Sequence, residues 1–394
     1  MVTIFDLKQI DDETLLRETE TRLSSFSTLR TLFDHEFIQN LVRRKHYFDN
    51  YLLWLLYSDS KYAILTLEGI NKYLNLLRDS NALYHFREKL RHTSRRVFES
   101  YLTELEMAGY YKEKGYNIEL EPKIPETKKN PDFKAEHDNL RVFFEVKNLF
   151  IEELLQMEKL DNQIQGLFDR MEEHYILGIS YKLGVLRIKH LKALHNFVKR
   201  NLEELDRKDE ANFPISVFFP EEKNALAEVK IFGRPKKLNY GYFAGIGPTA
   251  FGLPRGGINF RRKISGKISQ LPRAEANVIV VEFGHLFYDE DDLLDALLGD
   301  LHLVVRTHVS KKDFSTRVVR TKDRIFAPRK NTRLSAVIHY KKKFINQAFL
   351  IKKTVIHNPF AVKRIKPSFF ADKGVEQLVP IKKGDFYHFE RIRN

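Results

Sequence analysis

Apolar positions over the first 95 residues recur at three- and four-residue spacing, as in FDHEFIQNLVRRKHYFDNYLLWLLY and LTLEGINKYLNLLRD, with no proline and few glycines. A stripe of that period lies along one side of a 3.6-residue helix, so residues 1–95 are expected to form a helical domain. Asp79, Ser80 and Asn81 interrupt the stripe. It resumes in ALYHFREKLRHTSRRVFESYLTELEMAGYYKEKG and stops at Gly115, just after Lys112 and Lys114. Glycine accepts the left-handed backbone that closes a helix, and cations complement its carboxyl end.

From Tyr116 the period changes to two, in YNIELEP, PDFKAE and LRVFFEVK, with His137, Asp138 and Asn139 as a turn between the last two. Farther on, 152–174 and 187–206 read as helices, FPISVFF and AEVKIFG as strands, and the glycine-rich stretch 241–257 as a flexible loop. NFRRKISGKISQL reads as a basic helix leading into the apolar strand NVIVV, and RLSAVIHY with AFLIKKTVIHNPFAV as a β-rich end. The absence of cysteine excludes disulfides and thiolate metal sites, which leaves oxygen and imidazole ligands for any metal. No apolar run approaches the ~20 residues of a membrane helix, and the acidic start MVTIFDLKQIDDETLL is unlike a signal peptide, so a cytoplasmic protein is expected.

Charge divides the chain. Residues 303–394 hold 23 Lys and Arg against 6 Asp and Glu, a net of +17, whereas the whole chain carries +14 and the first 302 residues therefore −3. Such a local surplus suits a polyanionic partner, and nucleic acid is the expected one.

The chemistry concentrates in PDFKAEHDNLRVFFEVK. Alternation puts Val142, Phe144 and Val146 on one face of the strand and Phe143, Glu145 and Lys147 on the other. Folding the hairpin at 137–139 returns Asp132 to the neighbourhood of Glu145 and Lys147. Two carboxylates and an ammonium suit phosphodiester cleavage: carboxylates hold a hard divalent cation, and a lysine orients water or neutralises developing charge.

Pro131 and Asp132 followed by Glu145, Val146 and Lys147 resemble the signature of the PD-(D/E)XK nuclease superfamily. TELEMAGYYKEKGYNIELEP is similar to that family's first core helix running into its first strand, with Glu104 at the position of a helix-borne glutamate. The resemblance implies Asp132, Glu145 and the Val146 carbonyl as metal ligands, Glu104 acting through water, Lys147 assisting the nucleophile, and Mg2+ or Mn2+ as cofactor. The fold it implies is α/β: a restriction-endonuclease-like core with a four-stranded mixed sheet flanked by helices. The expected division is a helical domain at 1–95, the nuclease core at 96–302 with an insertion near 151–258, and a basic β-rich region at 303–394. In this scheme the helix near 260–271 and NVIVV complete the core, with Lys263, Lys267 and Gln270 toward the substrate. Lys341, Lys342, Lys343, Lys352 and Lys353 are the expected contacts to phosphates. The substrate is read as double-stranded DNA, with a homodimer or a phage-defence partner protein in view. A non-cleaving nuclease-fold binding protein and a ribonuclease or structure-specific nuclease are the alternatives.

Overall fold

The computed structural model describes residues 10–44, 51–125, 127, 129–149, 160–161, 163–164, 176–181, 185–206, 214–220, 225–231, 242–248, 256–283, 290–299, 301–308, 313–321, 323–384 and 386–393. The chain divides into two compact units, residues 1–149 with 255–394, and residues 150–254.

The helical expectation for the N-terminal segment is met by α1 (Asp12–Ser24), α2 (Ser27–Leu32), α3 (His35–Arg43), α4 (Tyr51–Tyr57), α5 (Lys61–Leu76) and α6 (Ala82–Leu90). Asp11 and Asp34 cap α1 and α3 by accepting the Thr14 and Phe37 amides at 2.8 and 2.9 Å, each cap being worth about 1 kcal/mol. The longest helix, α7 (Arg95–Glu113), turns Phe98, Leu102, Leu105, Ala108 and Tyr111 into the core. Gly109 lets α5 come close: a Cβ there would lie 2.2 Å from the Tyr73 ring. Gly115 ends the α7 region at φ +88°, as its sequence position suggests.

Strands β1 (Asn117–Leu120), β2 (Phe133–His137) and β3 (Leu140–Leu149) form an antiparallel meander, and Asp138, at φ 52°, makes the tight turn before β3. Tyr111 of α7 packs on Phe144 with centroids 4.6 Å apart, and Phe133 stacks on Phe144 at the same distance. Removing a fully buried ring such as Phe144 is expected to cost about 3–5 kcal/mol.

In the second unit, β4 (Ile176–Tyr181), β5 (Ile215–Phe219), β6 (Ala227–Ile231) and β7 (Tyr242–Pro248) form a sheet of order β5-β6-β4-β7. Helix α8 (Leu191–Asp206) supplies Leu194, Val198 and Leu202 to its core beside Ile179, Val229 and Ile231. Part of the glycine-rich stretch expected as a loop is strand β7, pairing in parallel with β4. The helix expected at 152–174 lies almost wholly outside the described residues.

Helix α9 (Gly256–Ile268) then leads into β8 (Ala276–Phe283), which pairs in parallel with β3. Helix α10 (Glu290–Leu298) and the β9 (Leu301–His308) and β10 (Asp313–Arg320) ladder follow, and β11 (Ala336–Ile345), β12 (Ala348–His357), β13 (Val375–Lys383) and β14 (Phe386–Arg393) close the chain.

The sheet is larger than expected. It is mixed and has eight strands in the order β1-β2-β3-β8-β11-β12-β13-β14, where four were anticipated. Nor do the C-terminal strands stand apart, since β11 pairs in parallel with β8 through Ala336–Tyr340. Those five residues are buried, so an apolar central-strand segment outweighs the surrounding charge. The N-terminal helices likewise share one hydrophobic cluster with α7 and this sheet, from Leu15 and Leu53 through Phe98 to Phe144 and Val355.

Candidate active site

Asp132 immediately precedes β2, at the position that the β2–β3 register sets opposite Glu145. Its amide donates to the Phe144 carbonyl at 3.0 Å, and its carboxylate Oδ2 accepts the Val146 amide at 2.6 Å. The hairpin therefore joins the two halves of the motif through main-chain geometry. Glu145 is almost wholly buried, at 1% exposure. Its Oε1 accepts from Lys267 at the end of α9, while Oε2 is buried and has no hydrogen-bond partner. Lys267 also donates to Gln270 Oε1 at 3.3 Å, so of the basic helix expected near the site Lys267 touches Glu145 and Gln270 touches Lys267.

These groups act on one another electrostatically. Burial, then repulsion from Glu104 and Glu145, pushes the Asp132 carboxyl well above the usual carboxylate range, against the opposing Val146 hydrogen bond and the charge of Lys267. Burial also raises Glu145, with Glu104 adding to it and Lys267 and Lys147 opposing. Lys147 is lowered by burial and by the neighbouring charges of Lys267, Lys263 and Arg96, the last projecting from the start of α7. A buried and a half-buried carboxylate among ammonium and guanidinium groups form a place that stabilises added positive charge at its centre and phosphate at its rim.

Glu104 belongs to the same electrostatic neighbourhood but has different partners. Lys89 of α6 donates to both its oxygens at 2.9 and 3.2 Å, and His85, one turn earlier, lies 2.9 Å from Oε1. Burial works against the Lys89 charge, but Glu104 and Glu121 outweigh it and raise its pKa. Glu104, expected to act on a metal through water, is ion-paired with Lys89. Among the described residues, no three acidic or imidazole side chains converge into a preformed metal cluster. The remaining pair still fits Mg2+ or Mn2+. Both side chains are hard oxygen donors, Glu145 offers an unpartnered buried oxygen, and magnesium is commonly held by one or two carboxylates together with water and phosphate.

On the other side of β3, Asn148 Nδ2 donates to Glu282 Oε2 at 2.8 Å, and Thr103 of α7 donates to the same oxygen. Burial pushes Glu282 up to about 8, with Glu106 and Glu99 adding and Thr103 and Lys342 opposing.

The basic cluster expected on β11 and β12 is split by strand alternation. Lys342 is ion-paired with Glu106 and lies over the Phe349 ring. Lys352 pairs with Glu376 at 3.1 Å, and Lys353 lies over Tyr110. Lys341 and Lys343 fall on the face opposite Lys342, and Lys343 is exposed. An open cavity of about 190 Å³ lies among Tyr73, Tyr110, Tyr340, Lys353 and Asp372, away from the Asp132–Glu145 pair. A polymer that contacts its enzyme through phosphates does not require an enclosed pocket.

His85, Lys89 and Arg96 were not singled out in the sequence. His85 and Lys89 do carry one signal, a spacing of four on a helix, which puts both on one face. No family model, no curated protein and no solved structure matches the chain.

Proposed function

We propose that this protein is a divalent-metal-dependent nuclease of the restriction-endonuclease-like kind that hydrolyses phosphodiester bonds of DNA. The observation that carries the proposal is that a hairpin sets the half-buried Asp132 opposite the buried Glu145, Asp132 accepting the Val146 amide and Glu145 accepting from Lys267, with Lys147 on the same strand. Asp132 and Glu145 would hold Mg2+ or Mn2+, which when bound supplies a water of lowered pKa and neutralises phosphate charge.

The chain's own groups account for the rest. Lys147, on the same strand face as Glu145, orients the attacking water and stabilises charge as it builds on the phosphate. Lys263 and Arg96, whose charges reach Lys147, and Lys267 receive the non-bridging phosphate oxygens. Lys267 is paired with Glu145, so a phosphate would share its charge with that carboxylate. Water adds across the phosphorus–oxygen bond, leaving a phosphate monoester on one fragment and a hydroxyl on the other.

The test is incubation of the full chain with plasmid, single-stranded DNA and RNA, each with Mg2+ or with EDTA. Cleavage of DNA that EDTA and Glu145→Gln both abolish is expected. Cleavage of RNA alone would reassign the substrate, and binding without any cleavage would identify a nuclease fold used only for recognition.

A further inference from the structure

We infer that the Lys89 ammonium takes the place of a second cation at this site, so that the chain holds a single divalent ion, on Asp132 and Glu145. The inference rests on the metal-centre reading above and goes beyond it by fixing how many ions bind and which residue sets that number.

Three carboxylates in one electrostatic neighbourhood would ordinarily suit two ions, as in centres where paired metals 3.5–4 Å apart clamp a phosphate. Here Glu104 and Glu121 already share a cation. Lys89 Nζ lies 2.9 and 3.2 Å from the two Glu104 oxygens and 3.1 Å from Glu121 Oε1. His85 Nε2 closes the group, 2.8 Å from Nζ and 2.9 Å from Glu104 Oε1.

Lys89 is not a loose surface side chain. Only 17% of it is exposed, and its ammonium sits near the rings of Tyr101 and Phe86, at 5.3 and 5.6 Å from their centroids. Glu104 itself is 3% exposed, so its charge requires a partner, and helix α6 supplies one from within the chain. A compact ammonium with three donors satisfies two carboxylates much as a hard cation would, but it cannot activate water. Glu104 therefore serves as an electrostatic anchor for α6 and as a neighbour that raises the charge demand of Asp132 and Glu145.

Isothermal titration of the metal-free full chain with Mn2+ tests this. The wild type is expected to bind one ion and Lys89→Met two, and combining Lys89→Met with Glu104→Gln should return the count to one. Electron paramagnetic resonance gives an independent reading: isolated Mn2+ in the wild type, and spin–spin broadening in Lys89→Met at two equivalents. Two ions on the wild type would overturn the inference whatever the variants do, as would a folded Lys89→Met that still binds one. Should Lys89→Met fail to fold, Lys89→Gln serves in its place. No Mn2+ bound by the wild type would instead remove the metal-centre reading and this inference with it.

Discussion

If Asp132 and Glu145 form the proposed active site, it is maintained at the expense of stability. Both carboxyls are raised, first by burial and then by Glu104, with Glu145 adding to the rise of Asp132, so in the metal-free protein ionisation works against folding. A carboxyl raised in the folded state contributes stability that is fully present below its unfolded pKa and is lost as pH rises through the folded value. Asp132→Asn, which can still accept the Val146 amide, is therefore expected to raise the Tm of metal-free protein at neutral pH by a few degrees. Cleavage should fall by at least about 100-fold in the same variant. Thermal melts and a plasmid assay check both, and wild-type-like cleavage by Asp132→Asn would sink the nuclease proposal. The residues of this pair were legible because strand alternation and a two-residue turn are local. Lys89 was not: its contact with Glu104 spans 15 positions and depends on how α6 packs on α7, which no local pattern encodes.

At the scale of elements, α7 is the part on which the others converge. Its inner face buries Phe98, Leu105 and Tyr111, while its polar positions deliver Thr103 to Glu282, Glu104 to Lys89, and Glu106 to Tyr340 and Lys342. Glu282 thereby couples α7, β3 and β8 through one oxygen shared by Thr103 and Asn148. Its folded pKa of about 8 lies above its unfolded 4.5, so the folded state holds an extra proton between those values. Stability from this group is complete below about pH 4.5 and falls as pH rises toward about 8. Glu282→Gln is expected to flatten that fall, raising Tm at pH 8 relative to wild type more than at pH 5. Equal Tm differences at the two pH values would refute the assignment. Many helices and strands were readable from period, including β8 as a buried apolar run, but β7, in the glycine-rich stretch read as a loop, was not. Whether β11 would join β8 was not, because Ala336–Tyr340 and Lys341–Lys343 are contiguous, and charge count masked the apolar half of the strand.

For the whole molecule, the proposed nuclease function raises the question of where a polyanion would be gripped. The C-terminal surplus of 23 basic against 6 acidic residues is a property of the sequence, but the fold decides which charges remain available. Lys342, Lys352 and Lys353 are held by Glu106, Glu376 and the Tyr110 ring, whereas Lys341 and Lys343 share the face of the β11–β12 hairpin opposite Lys342. The hairpin extends beyond the buried half of the sheet and turns at Asn346 and Gln347, both at positive φ, in the manner of a two-residue ribbon turn. A two-stranded ribbon of this kind fits a DNA major groove, with lysines reaching phosphates along its edge. Each duplex phosphate neutralised contributes about 0.9 to the slope of log affinity against log salt, so Lys341→Glu with Lys343→Glu is expected to lower that slope by about 1.8. Affinity near physiological salt should drop by about tenfold or more, alike for unrelated sequences, with the Mn2+ stoichiometry unchanged. Lys342→Glu is expected to behave differently, because it sets a carboxylate against the buried Glu106 and should lower Tm before it alters DNA contacts. Fluorescence anisotropy across a salt series, paired with thermal melts, separates the two. An unchanged slope in the Lys341/Lys343 double variant would move the DNA contact away from the hairpin and leave the cations around Lys147 as the whole of the grip.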